Sequence, residues 1–129
     1  MLDRIDLHVE VPAAEYKELA SSIPGTSSAS IRDQVLRARE RQAARFVGLK
    51  ILYNSHMSSK QLREFCKLDD AGMNLMKASV NEMGLSARAH DKVLRVSRTI
   101  ADLDGSAEIN LEHLSEAVNY RQLDRQIWQ

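Results

Sequence analysis

The stretch Leu85–Gly105, LSARAHDKVLRVSRTIADLDG, decides the fold. Ser86 can open a helix, because its hydroxyl accepts from a free backbone N–H of the first turn. Asp104-Gly105 can close it, since glycine tolerates the left-handed conformation that follows a last turn. Between them Ala89, Val93, Val96, Ile100 and Leu103 recur at helical spacing, which predicts one buried stripe. Beside the stripe runs a cationic row, Arg88, Lys92 and Arg95, that begins in the first turn. Two i,i+4 ion pairs are expected, Asp91 with Arg95 and Arg98 with Asp102. A helix N-terminus attracts anions through its unpaired N–H groups and macrodipole, so Arg88 is the candidate phosphate contact. Residue types alone favour the alternative, a solvated or ion-paired arginine.

Downstream, Asn110 caps a last helix with Leu111, Leu114 and Val118 inward, and residues 120–129 form a tail with Trp128 as an anchor. Upstream, Asp69 or Asp70 starts a helix carrying Leu75, Met76, Val80 and Met83, with Gly84 as its stop. Ser58 with Gln61 reads as a capping box for a short helix bearing Leu62, Phe65 and Cys66, after a loop at residues 53–57. A long helix is expected from about Ser30 to about Leu52, with a variant capping box of Ser30 and Asp33. Its buried side would carry Ile31, Val35, Ala38, Phe46 and Leu49. Between Ser30 and Lys50 stand six basic residues (Arg32, Arg37, Arg39, Arg41, Arg45, Lys50) against two acids, Asp33 and Glu40. That basic segment reads either as a solvated face or as a contact surface for nucleic acid or an acidic subunit.

The N-terminal end has another period. Ile5, Leu7, Val9 and Val11 alternate with Asp6, His8 and Glu10, the pattern of a half-buried β-strand ended by Pro12. One strand cannot satisfy its own N–H and C=O groups and needs a sheet that this sequence lacks. The expectation is a chain cut from a larger protein, with the strand lying on a neighbouring chain or disordered. Residues 13–20 suggest a short helix, and residues 21–30 (SSIPGTSSAS) a polar linker.

The whole chain has 129 residues, enough for one domain with a core, and its 18 basic and 18 acidic residues cancel. Neutrality weighs against a free-standing nucleic-acid binder. The one cysteine, Cys66, cannot form an internal disulfide, which suits a reducing cytoplasm, and it reads as a buried structural thiol. No run approaches the roughly 20 apolar residues of a membrane span. His8, His56, His90 and His113 are scattered and show no metal-ligand spacing, so no metal site is expected. There is no P-loop, no GxGxxG, no GxSxG and no carboxylate pair demanding acid–base chemistry.

Three segments together resemble a family. Met1–Val11, MLDRIDLHVEV, is similar to the LLDRIDLHVEVP segment of the Mg-chelatase-like AAA+ ATPases, the competence-associated ComM/YifB group. LSARAHDKVLRVSRTIADLDGSAEINLEHLSEAVNYR resembles that family's C-terminal helical domain, and SSASIRDQVLRARERQ its IRxxVxxARxxQ-like helix. The resemblance is weakest from Phe46 to Met83.

What it implies is a mainly α fold, a helical AAA+ lid of four to five helices preceded by one orphan strand from the ATPase core. Residues 1–29 would be the end of that α/β core and residues 30–129 the lid. Arg4, in the DRID pattern, matches the arginine finger, which reaches a neighbouring subunit's ATP. Arg88, in LSAR, matches the sensor-2 arginine, which contacts phosphate from the lid. The resemblance thus turns the choice at Arg88 toward phosphate, and at Arg4 leaves a salt bridge to Asp3 or Asp6 as the structural alternative. ATP and Mg²⁺ would serve the full-length protein, with none bound by this piece alone. The chain by itself would be inactive, and the full-length protein an ATPase. Implied partners are the upstream core, further copies in a homo-oligomeric ring (a hexamer), and DNA, in natural transformation or branch migration, with no membrane. The rival readings are an independent helical DNA-binding module and a non-catalytic helical adaptor.

Overall fold

A computed structural model describes residues 4–9, 11, 13 and 25–121. Among the described residues five α-helices follow one another: α1 (Ser28–Arg45), α2 (Ser59–Phe65), α3 (Asp70–Met83), α4 (Ala87–Leu103) and α5 (Leu111–Asn119). A 3₁₀ turn at Asn54–His56 joins α1 to α2. The fold is mainly α, and no helix among the described residues is long and apolar enough to cross a membrane.

Each helix start is fixed locally. Ser27, Ser58, Asp69, Ser86 and Asn110 each accept from a backbone N–H of the first turn. Ser58 with Gln61 completes the expected capping box, and Asn110 forms one with His113. Gly84 and Gly105 take positive φ, 63° and 77°, at the two expected stops.

The basic helix departs from expectation at both ends. It begins at Ser28 with Ser27 as its cap, and it stops at Arg45, seven residues before Leu52. Phe46 caps it and Gly48 turns the chain at φ 82°. Phe46, one turn beyond Gln42 and edge-on to Phe65 at 5.5 Å, is the last core contact of this face, and the positive φ of Gly48 is incompatible with a continued right-handed helix. Ala38, Gln42 and Phe46 are buried, whereas Ile31 and Leu49 lie exposed. Leu111 and Leu103, also expected inward, are exposed as well.

α4 is central. It packs most extensively on α5, then on α1, and also touches α2 and the 3₁₀ turn; α3 leans on α5. Phe46, Met57, Leu62, Met76, Val93 and Leu114 are among the side chains that form the core. Cys66 is buried in it, and that burial pushes its thiol up to about 11.

The N-terminal segment is the main correction. Among the described residues there is no strand. Residues 5–9 lie on the chain's own helices: the His8 N–H donates to the Tyr120 carbonyl at 2.8 Å, and the Arg121 guanidinium donates to the carbonyl of Ile5. The expected inward apolar face does not form, and Asp6 is exposed like its apolar neighbours. His8 is 7% exposed, while Ile5, Leu7, Val9 and Val11 are 46–82% exposed. With no sheet beside it, the segment gives its backbone to helix ends and turns its apolar row outward. The expected helix at residues 13–20, most of the linker and the Trp128 tail lie outside the described residues.

Candidate functional site

The cationic row of α4 is sorted by its surroundings. Ser86 Oγ accepts from Ala89 N at 3.1 Å, fixing the first turn in which Arg88 stands exposed. One turn on, the Lys92 ammonium is bonded to the Asp6 carboxylate. At Arg95, Nη2 donates to the Met57 carbonyl at 2.8 Å. The expected Asp91–Arg95 pair therefore does not form, because the 3₁₀ turn brings Met57 within reach of Arg95; Asp91 instead meets His90 Nδ1 at 3.2 Å. Of the row, Arg88 alone has no partner among the described residues.

Arg4 is exposed, two residues before Asp6. Lys92 takes up Asp6, so that carboxylate is not Arg4's salt-bridge partner. Lys92 thus ties the segment that carries Arg4 to the helix that carries Arg88. Arg121, itself buried, grips the same segment from the end of α5. Neither the Lys92–Asp6 pair nor the Arg121 contact has a signal in the sequence, since the partners lie 86 and 116 residues apart.

Behind this surface lies a buried polar network. Asp102 has no solvent exposure. Its Oδ2 accepts from Arg45 Nη1 and Asn54 Nδ2, both at 2.9 Å, and its Oδ1 from Arg45 Nη2 at 2.5 Å. Arg98 Nη2 approaches Oδ1 at 3.3 Å, the expected i,i+4 pair, and also donates to the Ser106 carbonyl at 2.9 Å. Burial lowers the Arg98 guanidinium below its ordinary range, and Asp102 opposes that shift. Arg41 Nη1 donates to the Asp102 carbonyl at 2.9 Å. Its guanidinium passes 3.1 Å from where a Cβ on Gly105 would stand. At the next corner His113 Nδ1 accepts from Asn110 N at 3.1 Å, which leaves Nε2 to donate to Asp104 at 2.9 Å.

The basic helix is partly consumed by these contacts. Arg41 and Arg45 are both bonded to Asp102, and Arg39 lies over the Tyr53 ring at 5.6 Å. Arg32, Arg37 and Lys50 remain exposed. Among the described residues no three His, Cys, Asp or Glu gather as a metal site. Arg88 and Arg4 both stand exposed.

Comparison with known proteins follows the same outline. The family described as "Magnesium chelatase, subunit ChlI C-terminal" matches residues 25–121. The chain is 42% identical over 125 residues to the uncharacterized protein YifB of Escherichia coli, covering 96% of this chain and 24% of that protein. It is 40% identical over 125 residues to the competence protein ComM of Haemophilus influenzae, again 96% of this chain and 24% of that protein. An uncharacterized Mycobacterium tuberculosis protein, Rv2897c, is 30% identical over 122 residues, 95% of this chain and 24% of its own length. The chain therefore spans about a quarter of the length of these relatives.

Proposed function

Because the chain belongs to the family of the magnesium chelatase subunit ChlI C-terminal domain, we propose that it is the helical lid of a Mg-chelatase-like AAA+ ATPase. In the full-length protein Arg88 contacts ATP phosphate from the lid as sensor 2. Arg4 reaches the phosphates held by a neighbouring subunit in the ring, as an arginine finger. ATP, with its Mg²⁺, supplies the scissile phosphoryl group. The chain's own contribution is two guanidiniums that bind phosphate oxygens bidentately and stabilise the charge that develops there. We assign the magnesium ligands to the upstream core.

One observation carries this reading. In a row of three cations on α4, two are engaged by the fold, and Arg88 at the helix's first turn is left free among the described residues. The outward apolar row of Ile5, Leu7, Val9 and Val11 supports the companion statement, that the upstream core covers this edge. We further propose that the ring acts in the cytoplasm and on DNA, a polymer that suits a relative named a competence protein. Arg32, Arg37 and Lys50 are the basic side chains of α1 and its following loop left to contact it.

The test joins this chain to its upstream core and compares ATP turnover for the wild type, Arg4→Ala and Arg88→Ala. Loss of a charge-assisted phosphate contact lowers turnover by about one to two decades in each variant. Mixing the two impaired variants should restore turnover in a fraction of rings, because Arg4 acts across the subunit boundary. Normal turnover in both single variants overturns the assignment and leaves the helical adaptor as the better account.

A further inference from the structure

α3 leans on α5 and makes little contact with α4, and a trough of about 620 Å³ opens between α2, α3 and α4. Its floor is Leu62, Cys66, Met76 and Leu94, all buried, and Met73 stands 57% exposed at its edge. The rim is cationic on both walls: Arg63 and Lys67 on and just after α2, Lys77 on α3. No carboxylate lines the trough, and none of these three cations has an acidic partner among the described residues. It lies on the opposite flank of α4 from the N-terminal segment. His90 and Leu94 face the trough, whereas Lys92, Val96 and Leu103 face the segment or its adjoining cleft.

We propose that this trough receives an acidic amphipathic helix of a partner protein. The length fits: Met73, Met76, Lys77 and Val80 line one face of α3 over about 10 Å, two turns of a partner helix. A helix seated there presents apolar residues at i, i+4 and i+7 to the floor and carboxylates to the walls. The thioethers of Met73 and Met76 adapt to the shape of the inserted side chains. Charge complementarity selects this occupant. A single-headed apolar acid needs one cationic end, but here the cations stand on both walls, matching acids that flank an apolar stripe on either side. The inference stands apart from the nucleotide reading, because it uses none of the residues placed there.

The probe is a fluorescein-labelled helical peptide of about 14 residues, with leucines at i, i+4 and i+7 flanked by glutamates, and a twin with every glutamate replaced by lysine. Fluorescence anisotropy against the 129-residue chain should show the acidic peptide binding, with affinity falling as salt rises, and the basic twin weaker by about tenfold or more. In ¹³C-methyl spectra the Met73 and Met76 signals should shift and that of the buried Met57 should not. Lys67→Glu with Lys77→Glu, both at exposed positions, should weaken the acidic peptide by about tenfold or more and leave the unbound methyl spectrum folded. The proposal is overturned if the acidic peptide does not bind, if both peptides bind alike, or if the Met73 and Met76 methyls stay still. It is equally overturned if the double variant binds unchanged, if dodecanoate alone shifts those methyls and displaces the peptide, or if sedimentation shows a second copy of the chain filling the trough.

Discussion

Arg45 and Asp102 meet side by side, Nη1 2.9 Å from Oδ2 and Nη2 2.5 Å from Oδ1, joining the last residue of α1 to the last turn of α4. The carboxylate has no exposure and the guanidinium side chain only 14%. Asn54 and Arg98 supply the remaining donors, so the charge is taken out of water with its hydrogen-bonding capacity filled. This pair holds the basic helix and the 3₁₀ turn against the helix that presents Arg88.

Removing one member should therefore cost more than a surface ion pair. Asp102→Ala leaves Arg45 and Arg98 facing each other without a counter-charge, and a destabilisation of about 3–5 kcal/mol is expected. Urea unfolding followed by circular dichroism measures it. Asp102→Asn keeps the shape and one acceptor oxygen, but it loses the charge and turns an amide N–H2 toward donors, so its midpoint too should fall well below that of the wild type.

Cys66 makes stability depend on alkaline pH. Its thiol is raised from 9.0 to about 11 by burial, against the opposing pull of Arg98 and Arg45. A raised folded value means the native state holds its proton longer than the unfolded chain, so stability is fully present below pH 9. It declines as pH rises through 9 to about 11, by about 2–3 kcal/mol in all. Urea midpoints at pH 8 and 10.5 should show the decline, and Cys66→Ala should flatten this part of it. The same protonation makes native Cys66 slow to alkylate at neutral pH.

The N-terminal segment should be held weakly. Asp6 is 59% exposed in its pair with Lys92, and exposed pairs contribute about 0.2–1 kcal/mol. His8 is buried with neither ring nitrogen hydrogen-bonded, which offsets part of the gain. Lys92→Ala should speed hydrogen exchange at the His8 amide, whose bond to Tyr120 depends on docking. The amides in the middle of α4 should keep their protection, since the segment adds nothing to that core.

Gly84 ends α3 at φ 63° with open space where a Cβ would stand. Gly84→Ala then pays only the left-handed strain, about 1–2 kcal/mol. Gly84→Asn should lose less, because asparagine enters that region more readily. Thermal unfolding of the two variants separates strain from steric conflict.

Much of the architecture was legible because its signals are local. Ser58, Asp69, Ser86 and Asn110 mark helix starts, and Gly84 and Gly105 mark stops, through groups within four residues of one another. The period of α4 identified Ala89 and Val93 as core, and the i,i+4 spacing identified Arg98 with Asp102. The end of α1 was less legible, since its periodic pattern runs on to Leu49 and beyond, past Gly48, where the chain turns at φ 82°.

The sequence by itself determined where most of the helices begin, the neutral balance of charge, and the identity of Arg4 and Arg88 as candidate anion contacts. Only the tertiary structure decided which cations are free. Arg88 and Arg95 are alike in the sequence, yet the Met57 carbonyl engages one and solvent keeps the other. It also decided that Asp102 gathers Arg45, Arg98 and Asn54, and that the alternating segment buries His8 and exposes its apolar row. The physical reason is common to all three. A strand's inward face and a side chain's partner are set by what stands opposite, and what stands opposite comes from residues that are far apart along the chain.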